Sequence, residues 1–114
     1  MVTAGDDRTA CIWDARTGKL LLTLRGHNNR VSAAVFSPDG KQVLTASNDK
    51  TARIWDAKTG KTLRELVGHR EAVLAAVYSR DGKRILTGGE DNQAKVWNAQ
   101  TAQVFFFSSR RRHT

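Results

Sequence analysis

The chain has 114 residues, a hydrophobic fraction of 39%, a charged fraction of 26% and a formal net charge of +8. That is material for one domain at most, and no apolar run approaches the ~18 residues a membrane-spanning helix needs. The start, MVTAGDDRTA, shows no signal peptide, and the single cysteine, Cys11, excludes an internal disulfide and suits a reducing, cytoplasmic setting.

Read in order, the chain opens inside a strand, since Met1 aligns with Val43 further on. ACIWDARTGK (residues 10–19) holds a strand and its outgoing turn, where Gly18 is available for positive φ. LLLTLRG follows as a strand, and Gly26-His27 punctuates. VSAAVFS is short and rich in apolar residues, and it ends in turn chemistry at Ser37-Pro38-Asp39-Gly40. KQVLTAS, a tight turn at Asn48-Asp49, TARIWD, a turn at Thr59-Gly60 and TLRELVG complete one set. Leu63 and Leu66 alone suggest a helix, but the stretch is too short and lies between glycine turns. The order then recurs: Gly68-His69, VLAAVYS, a turn at Asp81-Gly82, KRILTGG, Glu90-Asp91, QAKVWN and a last hairpin in which Ala102 replaces the turn glycine.

The recurrence has a fixed interval. Residues 5–46 match residues 47–88 without a gap at 24 of 42 positions, and Trp13, Trp55 and Trp97 all fall on this beat. Such a period excludes the 33- and 34-residue helical repeats. Four short antiparallel strands per unit is the prediction. Ala-Ala-Val in the first strand of each unit has little room on either face, which suits a crowded place near the axis of a radial array.

The GH and W-D punctuation at this interval resembles the WD40 repeat, whose units are the four-stranded blades of a β-propeller. The resemblance implies an all-β fold: a partial WD40 β-propeller of about two and a half four-stranded antiparallel blades, with the ring not closed. The expected organisation is a repeat array over residues 1–107, in units of about 1–25, 26–67 and 68–107, then a non-repeat basic tail over 108–114. The resemblance further implies a hydrogen-bonded quartet in each blade: His27, Thr45, Asp49 and Trp55, then His69, Thr87, Asp91 and Trp97. Thr3, Asp7 and Trp13 form a set whose histidine would precede Met1. Since propellers close with about four to eight blades, the chain is expected to be a fragment whose neighbours are the remaining blades of the same protein. The alternative is a short chain that completes a ring with copies of itself. The tail, in which Arg110-Arg111 stand where GH would recur, resembles translated sequencing-adapter read-through; the alternative is an Arg-rich phosphate-binding tail.

No catalytic constellation emerges. Gly60-Lys61-Thr62 resembles the end of a phosphate-binding loop, but Trp55 occupies the position of its first glycine. His27 and His69 stand one repeat apart, each with a quartet role, so no metal and no cofactor are expected. Asp6-Asp7 and Glu90-Asp91 fall in one repeated turn, and Cys11 shares a column with Arg53 and Lys95, with no base beside it. The expected function is therefore a protein-interaction scaffold and not an enzyme, with other proteins or peptides as partners and no membrane contact. The DAxTGK turns look like those of long arrays attached to bacterial signalling proteins. The candidate binding rim is Arg30, Ser32, Asn48, Ala72, Leu74, Glu90 and Asp6, which vary while their neighbours repeat. One alternative is an anion- or nucleic-acid-binding propeller using Arg16, Lys19, Arg30, Lys58 and Lys61; another is the regulatory repeat region of an enzyme whose catalytic domain lies elsewhere.

Overall fold

The computed structural model describes residues 1–5 and 7–109. Asp6 and residues 110–114, with the readings placed on them, lie outside the described residues. Eleven strands and no helix occur among the described residues. β1 (Val2–Ala4), β2 (Thr9–Trp13) and β3 (Leu20–Arg25) make the first sheet. The second contains β4 (Val31–Phe36), β5 (Gln42–Ser47), β6 (Thr51–Asp56) and β7 (Thr62–Val67). The third contains β8 (Val73–Tyr78), β9 (Arg84–Gly89), β10 (Gln93–Asn98) and β11 (Val104–Ser109). Each is an antiparallel meander with neighbours in chain order, and the described sheets do not close a ring. β11 continues through residues 108 and 109, pairing Ser108 with Ala94 and Ser109 with Gln93.

The turns show why the ten-residue copy must be copied. Asp56 Oδ1 accepts the backbone N–H groups of Lys58 and Thr59, and the Gly60 N–H closes onto the Asp56 carbonyl at 2.9 Å. Asp14 and Asn98 do the same in their own turns. The last residue of this turn is left-handed in all three copies: Gly18 at φ 76°, Gly60 at 79° and Ala102 at 64°. The final hairpin therefore forms without glycine, against a conformational cost of about 1–2 kcal/mol for a residue with a Cβ. Just after the turn aspartate of the other end, Arg8, Lys50 and Asn92 are also left-handed.

The sheets stack through their early strands: β1 lies against β4, and β4 and β5 lie against β8. β3 and β7 form the far edges, where Leu20, Leu21, Leu63 and Val67 are exposed. The small Ala33 and Ala34 thus sit on the converging side, half-buried. Two apolar layers result. Ala10, Ile12 and Leu24 of the first sheet pack on Val31, Val43 and Trp55 of the second. Leu44, Ala46, Ala52, Ile54 and Leu66 on the opposite face of the second sheet pack on Val73, Ala76, Ile85 and Trp97 of the third. Because side chains alternate across a strand, one unit presents two different apolar faces, and each face meets the other kind on its neighbour. Leu44 is 0% exposed inside such a layer, whereas its counterpart Leu86, on the third sheet's outer face, is 47% exposed.

Candidate functional site

In the second and third sheets the recurring histidine, threonine, aspartate and tryptophan turn inward, whereas Thr3 and Asp7 of the first sheet are exposed. His27, Thr45 and Trp55 are buried, and Asp49 closes the set from the turn between β5 and β6. Trp55 Nε1–H donates to Thr45 Oγ1 at 2.8 Å, and Thr45 Oγ1 lies 2.6 Å from His27 Nε2. His27 Nδ1 lies 2.8 Å from Asp49 Oδ2. The donor order follows from charge. Burial lowers the His27 pKa against the opposing pull of Asp49, so the ring is neutral near pH 7. Asp49 is ionised: burial works against its charge, but hydrogen bonds from the Thr51 hydroxyl, the Asn28 N–H and His27 prevail and hold its pKa at about 2. A carboxylate only accepts, so Nδ1 carries the imidazole proton, Nε2 accepts from Thr45, and Thr45 in turn accepts from the indole.

His69, Thr87, Asp91 and Trp97 are brought together in the same way. Trp97 Nε1–H donates to Thr87 Oγ1 at 2.9 Å, Thr87 lies 2.7 Å from His69 Nε2, and His69 Nδ1 lies 3.3 Å from Asp91 Oδ2. In the first sheet the Trp13 indole donates to Thr3 at 2.9 Å, while Asp7 Oδ1 accepts from the Thr9 hydroxyl at 2.6 Å. Both nitrogens of each quartet histidine are engaged. No group of three or more metal-binding side chains occurs among the described residues.

Some participants were not singled out from the sequence. Thr51 Oγ1 donates to Asp49 Oδ1 at 2.6 Å, and the Asn28 N–H donates to Oδ2 at 3.0 Å. A threonine two residues after the aspartate was the available signal, repeated as Asp7-Asp49 followed by Thr9-Thr51 but broken at Gln93. The glycine of GH also has a steric cause. A Cβ on Gly26 would lie 2.7 Å from Arg53 Nη1 and 3.1 Å from Trp55 Cη2. One on Gly68 would lie 3.2 Å from Trp97 Cη2 and 3.4 Å from Lys95 Nζ. The column of Arg53 and Lys95 has a role as well: Arg53 lies over the Trp55 ring at 5.9 Å, and Lys95 Nζ donates to the Gly68 carbonyl at 2.8 Å. Cys11, in that column, is half-buried and can provide neither contact.

At the rim, the loop before the first strand of a unit meets the turn between its second and third. The Asn48 N–H donates to the Arg30 carbonyl at 3.0 Å, and the Glu90 N–H donates to the Ala72 carbonyl at 2.9 Å. Arg30, Leu74 and Glu90 are exposed and Asn48 is half-buried. Ser32 and Leu74 are the extra residues of β-bulges, which re-aim a side chain. Their fates differ. Leu74 points to solvent, whereas Ser32 Oγ lies 2.6 Å from the Val73 carbonyl and 3.1 Å from that of Ala46, joining the second sheet to the third. Ala72 is 9% exposed and presents little to a partner, because it sits directly before β8 and packs inward. The basic residues Arg16, Lys19, Lys58 and Lys61 lie in the turns after β2 and β6, at the opposite end of the sheets from Arg30.

Repeated antiparallel sheets, an internal polar quartet and a variable rim define a repeat-array protein of the propeller type. The WD domain, G-beta repeat family matches residues 18–56 and 60–98, and the chain belongs to this WD40 family. It is 46% identical over 44 residues to the nuclear distribution protein PAC1 of Mycosarcoma maydis, covering 39% of this chain and 10% of that protein. It is 50% identical over 44 residues to nuclear distribution protein nudF 2 of Aspergillus clavatus, with the same shares. Against coatomer subunit beta'-2 of Arabidopsis thaliana it is 44% identical over 39 residues, 34% of this chain and 4% of that protein. The match thus spans a tenth or less of the length of these relatives.

Proposed function

We propose that the chain contributes to a protein-interaction scaffold, with the quartets as its structural frame and Arg30, Asn48, Leu74 and Glu90 as the contact rim. The observation that supports this most is the division of labour: the quartet side chains bond to one another inside the second and third sheets, while Arg30 and Glu90, which change from unit to unit, stand exposed in the rim loops. Exposed side chains that vary on a fixed frame are what a tunable contact surface requires. The relatives bear names of nuclear distribution and coatomer proteins, which supports a non-enzymatic scaffold role. Cytoplasmic placement belongs to the same proposal, and a link to bacterial signalling rests on the resemblance of the DAxTGK turns alone. Nucleic-acid binding has less support, because Arg30 lies at the other sheet end from the remaining basic candidates and the charge is split between two rims.

Site-specific photo-crosslinking tests the reading. A photoreactive residue at position 74 should capture a defined set of proteins, and one at Leu21, exposed on the outer edge strand β3, should not. Identical capture at both positions would reject a specific rim.

A further inference from the structure

A cleft lies at the opposite rim, where the second and third sheets meet. It encloses about 580 Å³, within the usual size range of ligand sites. Its walls are the turn after β4 (Ser37, Pro38, Asp39), the turn after β8 (Asp81, Gly82, Lys83) and the side chains of Gln42, Arg64 and Gln100. Both sheets of this junction are complete, so the cleft is framed on each side by a full meander.

Its chemistry is two-signed. Arg64 is half-buried, and its Nε–H donates to the Gln100 carbonyl across the junction. No carboxylate pairs with the guanidinium among the described residues, which leaves its Nη groups as donors. Gln42 Oε1 accepts from the Tyr78 hydroxyl at 3.2 Å, so the amide NH2 of Gln42 is its remaining polar end. Burial, then the Asp39 charge, push the Tyr78 pKa up to about 12, which keeps that hydroxyl a donor. The carboxylates of Asp39 and Asp81 also line the cleft, each tied to its own turn through a serine hydroxyl and a backbone N–H. A lining that carries both donors and carboxylates disfavours a compact dianion and suits a ligand carrying both charges. The junction is also particular to this pair of sheets, because Leu22 holds the column of Arg64 and Lys58 that of Gln100 one unit earlier.

We infer that this inter-sheet cleft is a second interaction site, which seats a peptide segment bearing an acidic side chain next to a basic one: the carboxylate on Arg64 and Gln42, the cation between Asp39 and Asp81. A planar guanidinium with free Nη groups matches a carboxylate bidentately. This site is independent of the Leu74 rim and stands or falls separately from it.

The test is an NMR titration of the full 114-residue chain with acetyl-Gly-Lys-Glu-Gly-amide. Saturable shifts of the Lys83 and Gln100 amides and of the Arg64 Nε–H are expected. The Glu-to-Gln peptide should bind at least about tenfold more weakly. Arg64→Leu, which installs the residue type of the earlier unit, should abolish the response while the unfolding transition is retained, and Arg64→Lys should weaken it several-fold. Leu74→Asp, at the other rim, should leave it unchanged. The inference is overturned by a dispersed spectrum with no saturable shifts, by equal binding of the Gln peptide, by inorganic phosphate binding more tightly than the peptide, or by shifts centred on Arg30 and Leu74.

Discussion

The second and third sheets repeat each other residue for residue in their quartets, yet they are not equally well bonded. Asp49 accepts four hydrogen bonds, from His27, the Asn28 N–H, and the hydroxyl and N–H of Thr51. Asp91 accepts three, from His69 and the N–H groups of Arg70 and Gln93, because Gln93 replaces the threonine. The histidine contact lengthens from 2.8 to 3.3 Å between the two sheets. A quartet is thus tuned from outside its own four members, by a hydroxyl two residues beyond the aspartate.

The severest way to break this comparison is to remove what both quartets share. Trp55→Ala and Trp97→Ala should each destabilise by about 3–5 kcal/mol, seen as large losses of midpoint in thermal unfolding; a small loss at either would mean that the indole does not anchor its layer. Next, Asp49→Ala should destabilise by about 1–3 kcal/mol, since it leaves His27 and the Asn28 N–H without their acceptor. Asp91→Ala should destabilise by less, and the reverse order would refute the bonding difference.

Acid should expose the same inequality. Burial lowers the pKa of His27 and of His69, so the unfolded chain binds more protons and stability should fall as pH drops below about 6.5. Asp49 is depressed to about 2, so its contribution is present above about 4 and is lost as pH falls towards 2. Midpoints measured across this range should decline in both windows, and Asp49→Asn should make the lower decline shallower, the remainder coming from Asp7, Asp39, Asp56, Asp81 and Asp91, whose pKa values are also lowered.

Gln93→Thr should sharpen the comparison by giving Asp91 its missing hydroxyl, at a gain of about 0.5–1.5 kcal/mol. The smallest effect is expected at the last hairpin. Ala102→Gly removes a strained left-handed Cβ, offset by the greater freedom of glycine when unfolded, for a net gain of about 0.5 kcal/mol.

Much of this architecture is legible in the residues themselves. Trp13, Trp55 and Trp97, the glycine turns and the alternating strands carry the period, and strand pairing at that period leaves few alternatives. What stayed hidden depends on contacts between distant parts of the chain. Ala72 and Ser32 look like rim residues by position, but whether a bulged side chain meets solvent or a neighbour's carbonyl is decided by the adjoining sheet. The inter-sheet cleft was equally illegible: Arg64 and Gln100 are 36 residues apart in different sheets, and no local pattern brings them together. The role of the GH glycines was visible only as recurrence until the indole and the cation beside them supplied the steric reason.

The alternation of two unlike apolar faces reaches beyond folding into how such a gene can change. Excising residues 26–67 would join Arg25 to Gly68 at the same junction that now joins Arg25 to Gly26. Ala10, Ile12 and Leu24 would then meet Val73, Ile85 and Trp97 in place of Val31, Val43 and Trp55. Recombination between two copies of the repeat therefore yields a shorter or longer product whose apolar layers still match.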